Sequence, residues 1–262
     1  MQMFIRNINI NYEFYRNDSD ITLVYLHGWG QNIKMMMPIA KPFIKKYSVL
    51  IVDLPGFGES DEPKETWSIY DYADCMNEMF EELHIKNPIL IGHSFGGKIS
   101  LAYATKYNVN KLVLLASPYK KNISEPTFKM KIYKNVKKIP GLKGLESFVK
   151  KHVGSTDYRN ASEAMRKILV EHVNLDLSEA AKKIKCPTLL IWGTNDAAVS
   201  IKDGEELENI IPNCGLVKYE GCTHYAYLEN LVQTVRVLDN FIGSDKKWKH
   251  ILYYHWYHIF GM

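Results

Sequence analysis

Pro88-Ile89-Leu90-Ile91-Gly92-His93-Ser94-Phe95-Gly96-Gly97 is the stretch on which the fold turns. A short apolar run ends in Gly-x-Ser-x-Gly and passes directly into residues 98–107, which have helical character. Small glycines let the backbone bend sharply between a strand and a helix, and the bend pushes the serine hydroxyl out above the sheet edge at the helix N-terminus. Standing alone, the motif would describe an ordinary turn with a helix-capping serine. Between a buried strand and a helix it describes an exposed nucleophile.

Working outward, similar apolar runs occur at residues 21–26, 49–52, 112–115 and 188–192, each ending in Gly, Ser, Asp or His, and a further strand is expected at 215–219. Continuous apolar runs suit strands buried on both faces of a parallel sheet. Residues 4–8 and 10–15 alternate partially about Asn9, as a half-buried hairpin would. Between the runs lie helical spacings such as Tyr72, Cys75, Met76, Met79, Phe80 and Leu83. The pattern predicts an α/β fold: a mostly parallel eight-stranded sheet with helices on both faces.

The rhythm breaks at residues 119–185, where helical patterns interrupted by Pro126, Pro140, Gly141, Gly144 and Gly154 predict an inserted helical cap. Residues 1–118 and 186–243 then form the core domain, ending in a helix over 226–242, and residues 244–262 form an aromatic C-terminal tail. The insertion holds 16 Lys and Arg against 7 Asp and Glu, while the rest of the chain holds 17 against 22. A basic cap on an acidic core could steer anionic substrates, although Lys-rich helical faces are usually plain solvated surface.

A serine hydroxyl is a weak nucleophile at neutral pH and needs a base within hydrogen-bond reach and a third group to orient that base. Asp196 follows the run at 188–192 in Gly193-Thr194-Asn195-Asp196, and His224 follows the run at 215–219. Both fall at the carboxyl ends of their strands, the edge at which Ser94 emerges and at which open parallel sheets gather ligands. Donors for a developing oxyanion are expected from the backbone N–H groups of Trp29, in His27-Gly28-Trp29-Gly30, and of Phe95.

Five motifs in order, HGWG at 27–30, DLPGFGES at 53–60, GHSFGG at 92–97, GTND at 193–196 and the His224 segment, resemble the α/β-hydrolase superfamily, in its capped serine hydrolase branch of carboxylesterases, haloperoxidase-like enzymes and carbon-carbon hydrolases. The resemblance implies Ser94 as nucleophile, His224 as base, Asp196 as its orienter, and Trp29 and Phe95 as oxyanion donors. His93 stands where carbon-carbon hydrolases usually carry Asn, which favours esters, and Thr223 stands where Gly is frequent. The expected activity is therefore hydrolysis of small or medium acyl esters through an acyl-enzyme, with carbon-carbon cleavage of vinylogous diketones or a non-turnover ligand sensor as alternatives.

Other residues have plainer readings. Asp53 is expected to hold its turn, His27 and His93 to brace backbone, and Met35-Met36-Met37 to pack in the core. The apolar cap residues Phe128, Ile132, Val136, Phe148, Val153 and Leu169 suit either a pocket lining or cap-to-core packing.

A net charge of +4 over 262 residues is far from the basic density of nucleic-acid binders, and no apolar run is long enough to span a bilayer. The nine histidines show no H-E-x-x-H spacing and the glycine loops match no nucleotide motif, so neither a metal nor another cofactor is expected. Cys75, Cys186, Cys214 and Cys222 show no C-x-x-C pair and read as free thiols, and the start Met1-Gln2-Met3-Phe4-Ile5-Arg6 has no signal-peptide pattern. A cytoplasmic protein acting on a small-molecule ester is the expectation. The tail carries Trp248, Tyr253, Tyr254, Trp256, Tyr257 and Phe260, an aromatic surface suited to docking on the domain or to self-association.

Overall fold

The computed structural model describes residues 1–121 and 162–244. Its centre is one eight-stranded sheet in the order β1-β2-β4-β3-β5-β6-β7-β8. The strands are β1 (Gln2–Ile5), β2 (Ile8–Tyr15), β3 (Thr22–Leu26), β4 (Ser48–Val52), β5 (Ile89–His93), β6 (Lys111–Leu115), β7 (Thr188–Gly193) and β8 (Cys214–Tyr219). The first two form an antiparallel hairpin, and β2 pairs antiparallel with β4. Every pairing from β4 through β8 is parallel. The hairpin turns at Arg6 and Asn7, both with positive φ (50° and 63°), the backbone that matches the right-handed twist of its strands.

The helices are α1 (Ile33–Ala40), α2 (Ile69–Glu82), α3 (Phe95–Lys106), α4 (Glu163–Asn174), α5 (Ser178–Ala181), α6 (Ile201–Ile210), α7 (Ala226–Glu229) and α8 (Leu231–Gly243). Successive strand side chains point to opposite faces, so each buried strand feeds two cores. Val24, Leu50, Leu90, Leu112 and Leu190 pack with residues of α2, α3 and α6 on one face. Leu23, Tyr25, Val49, Ile91 and Leu189 pack with residues of α1 and α8 on the other, where Met36 is fully buried. This double burial is the physical reason the strands read as unbroken apolar runs. The α2 positions singled out by their spacing, from Tyr72 to Phe80, are all buried. Ser68 and Asp71 close a reciprocal capping box at the start of α2.

Two differences from the sequence-based expectations stand out. The helix expected over 226–242 is two helices, α7 and α8, joined at Asn230, whose backbone leaves the helical region (φ −118°, ψ 50°). The break lies beside Glu229, whose carboxylate is drawn to Thr223. Helix α3 begins at Phe95, so the strand-to-helix turn consists of Ser94 alone. Most of the expected cap and the tail from residue 245 onward lie outside the described residues, as do Phe128, Ile132, Val136, Phe148 and Val153. The helices described within residues 119–185 are α4 and α5.

Strand order places the site. The chain steps from β3 outward to β4, then crosses back to β5 on the other side of β3. Loops leaving β3 and β5 therefore diverge and open a crevice at the carboxyl edge of the sheet. Gly96 lies under that crevice: a Cβ there would stand 2.4 Å from the Leu26 carbonyl oxygen and 2.5 Å from that of His27. Neither backbone can retreat without opening the sheet, so Gly96→Ala is expected to cost about 3 kcal/mol, read as a lowered urea midpoint at unchanged slope.

Candidate active site

Ser94 sits between β5 and α3 with φ 50° and ψ −109°, a backbone that L-residues adopt only under constraint. The constraint is visible. Ser94 N donates to Leu115 O (2.9 Å), Gly96 N donates to His27 O (3.0 Å), and Lys98 N donates to Ser94 O (3.0 Å). The glycines are there for close approach: a Cβ at Gly92 would lie 2.5 Å from Gly96 O, and one at Gly97 would overlap the Ser117 hydroxyl. The Ser94 side chain makes no capping bond to α3, so its hydroxyl is not spent on the helix.

Asp196 and His224 meet across the neighbouring loops. Asp196 Oδ2 accepts from His224 Nδ1 at 2.8 Å, and the Asp196 side chain is fully covered. Its other oxygen accepts from Ala198 N (2.7 Å) and Val199 N (2.9 Å). Because an ionised carboxylate only accepts, Nδ1 carries the proton and Nε2 of neutral His224 presents a lone pair. The two loops are stitched by Asn195 N donating to Cys222 O and Thr194 N donating to Tyr219 O. Thr223 holds its neighbour in place, its N–H and hydroxyl both donating to Glu229. His93 ties this loop to the serine turn: its Nε2–H donates to His224 O at 3.1 Å, and the two rings lie 4.8 Å apart.

The loop after β3 completes the crevice. His27 Nε2 accepts from Leu54 N (2.9 Å), so Nδ1 is the protonated nitrogen and donates to Gly28 O (2.7 Å). Gly28 N donates to the Gln31 side chain, and the chain turns through Gly30 at φ 71°. The amides of Trp29 and Phe95 donate to no acceptor among the described residues. Asp53 is buried and holds turns, accepting from Ile33 N, Asn11 Nδ2 and Glu59 N. The Trp29 ring packs edge-on against Phe57 (4.8 Å) and Phe95 (5.2 Å).

Sequence reasoning missed the residues that dock α4 on this loop. Lys98 is almost fully buried, and its ammonium donates to His172 O and Leu175 O at the end of α4, each at 2.6 Å. Burial lowers its pKa to about 8. A lone lysine in the uncharged run from Pro88 to Thr105 was the available signal. His172 continues the buried stripe of Met165 and Ile168 on α4, a pattern that reads as core. Cys75 and Cys214 are buried and Cys186 and Cys222 half-buried. No helix among the described residues is long and apolar enough to cross a membrane.

The model of the alpha/beta hydrolase fold family matches residues 21–133. The uncharacterized hydrolase YugF of Bacillus subtilis is 30% identical over 235 residues, covering 80% of this chain and 85% of that protein. The chain belongs to the α/β hydrolase family. Pimeloyl-[acyl-carrier protein] methyl ester esterase of Pseudoalteromonas atlantica is 29% identical over 241 residues, covering 79% of this chain and 88% of that one. The crystal structure of the enol-lactonase from Burkholderia xenovorans LB400 superposes with a TM-score of 0.76 over 93% of this chain and all of that one, at 19% identity. At that identity the likeness speaks for the α/β hydrolase fold.

Two outcomes follow from the geometry. A glycine relieves the backbone at Ser94 where an alanine does not, so Ser94→Gly should be more stable than Ser94→Ala by about 1 kcal/mol in urea unfolding. Burial lowers the His27 pKa from 6.5 to about 4. Between those values the unfolded chain binds the extra proton, so stability is full above pH 6.5 and is lost as pH falls toward 4. His27→Gln should flatten that slope by up to one proton, measured as urea midpoints from pH 7 to pH 4.

Proposed function

We propose that the protein is a serine hydrolase of small or medium carboxylic esters, with Ser94, His224 and Asp196 as its catalytic groups. The observation that carries the reading is the 2.8 Å bond from His224 Nδ1 to the covered Asp196 carboxylate, on a loop that His93 ties to the strained Ser94 turn. The carboxylate keeps the imidazole in the tautomer whose Nε2 can take a proton. The methyl ester esterase and the enol-lactonase among its relatives and structural neighbours support an ester or lactone as the substrate class.

Ser94 Oγ attacks the ester carbonyl while His224 Nε2 takes its proton, and the Trp29 and Phe95 amides receive the oxyanion. The protonated imidazole faces Asp196 and then gives its proton to the departing alcohol. Water, deprotonated by the same nitrogen, attacks the acyl-enzyme and returns Ser94 free. Residues 119–185 serve as the cap that shapes the acyl pocket.

Ser94→Ala should abolish p-nitrophenyl acetate hydrolysis and labelling by a fluorophosphonate probe, and Asp196→Asn should lower kcat by about 10⁴-fold. Labelling that survives Ser94→Ala refutes the nucleophile. Wild-type protein that stops after one turnover refutes the enzyme reading in favour of a sensor.

A further inference from the structure

His172 lies on the last turn of α4, 6% exposed, and its Nδ1 is a buried polar atom with no hydrogen-bond partner. Its ring stacks parallel to Trp29 (centroids 6.5 Å, interplanar angle 6°) and meets the Phe95 ring edge-on at 4.8 Å. These are the two residues whose amides are assigned to the oxyanion. A buried nitrogen left unpaired costs about 1–3 kcal/mol, and a Phe or Leu at this place would meet the same rings without that cost. The position is also pinned. Lys98, one turn beyond Ser94 on α3, donates to the His172 carbonyl itself.

Burial, reinforced by the Lys98 ammonium, lowers the His172 pKa to about 3, so the imidazole is neutral wherever the protein works. A neutral ring in an aromatic setting has little to offer a carboxylate or phosphate. It suits an uncharged hydroxyl or carbonyl oxygen. Lys98 has already committed two donors to backbone, and the buried polar atom of α4 left without a partner is His172 Nδ1.

We propose that His172 is a specificity-determining residue whose Nδ1 hydrogen-bonds an uncharged oxygen on the acyl chain, so that the preferred substrates are hydroxy- or oxo-acyl esters rather than plain alkyl ones. The inference rests on the ester-hydrolase reading of the same site. It adds the chemistry of the acyl group.

The test compares kcat/KM for p-nitrophenyl butyrate, p-nitrophenyl 3-hydroxybutyrate and p-nitrophenyl 4-oxopentanoate in wild type, His172→Phe and His172→Gln. Wild type should favour at least one oxygenated ester over butyrate by about tenfold, the size of one neutral hydrogen bond. His172→Phe should bring that ratio close to one, chiefly through KM, and His172→Gln should restore part of it. A wild-type ratio near one for both oxygenated esters overturns the proposal. So does a ratio that His172→Phe leaves intact while raising the melting temperature, which is the signature of packing alone. If His172→Phe does not fold, His172→Leu takes its place: loss of the wild-type preference in it supports the proposal, and a preference that survives in it overturns the proposal. Fluorophosphonate labelling of Ser94 separates the two levels: labelled protein without acyl discrimination removes this inference alone, whereas unlabelled, inactive wild type removes the hydrolase reading beneath it.

Discussion

The backbone of Ser94 is the constraint around which the rest is arranged. Holding an L-residue at φ 50° and ψ −109° costs on the order of 1–3 kcal/mol, and such a conformation persists only where its surroundings over-determine it. Here the turn is held by bonds to Leu115 and by the Gly96 bond to His27, which reach the strands on both sides of β5. The glycines at 92, 96 and 97 permit these contacts because each lies against backbone or the Ser117 side chain with no room for a Cβ. The central sheet and the serine turn are thus one mechanical unit. Displacing β3 or β6 would move the turn with it.

Around this unit the electrostatics are those of neutral imidazoles. His27, His93 and His172 are all buried, and burial lowers the pKa of each. Uncharged rings give directional bonds without adding positive charge next to His224. In the proposed mechanism His224 becomes an imidazolium, and a second buried cation beside it would oppose that step. Of the three, His27 uses both nitrogens on backbone, and His93 uses Nε2 on the His224 carbonyl. His172 uses neither nitrogen to brace backbone, and its buried Nδ1 has no hydrogen-bond partner, which sets it apart from the two bracing histidines.

Legibility in the sequence followed locality. The strands were readable because burial on both faces makes each one an apolar run, and the Ser94 turn because its glycines mark a backbone that few residues can adopt. Asp196 and His224 were readable because each follows its own strand, and the parallel sheet brings strand ends to one edge. The break at Asn230 was not, because it accompanies a hydrogen bond from Thr223 to Glu229, six residues on, that apolar periodicity along 226–242 does not register. Lys98 and His172 were hidden for the opposite reason: helical periodicity assigns both to buried positions, and nothing local says whether a buried polar residue is paired. Pairing is a property of the assembled structure.

Lys98 then explains how α4 can lie against the loop after β3 without depending on apolar contact alone. A helix C-terminus leaves carbonyls unpaired and carries partial negative charge, so a buried ammonium is a fitting partner for it. Lys98 meets two of those carbonyls from α3, while Met165 at the other end of α4 packs onto Gly56, where any Cβ would collide with its thioether. One end is fixed by charge and the other by shape. Moving α4 away would strand an ammonium and two carbonyls and break the His172 stack on Trp29. On the proposed function, the wall that α4 gives the acyl pocket is set by the same helix that begins at the serine turn, which ties the shape presented to the acyl chain to the geometry presented to its carbonyl.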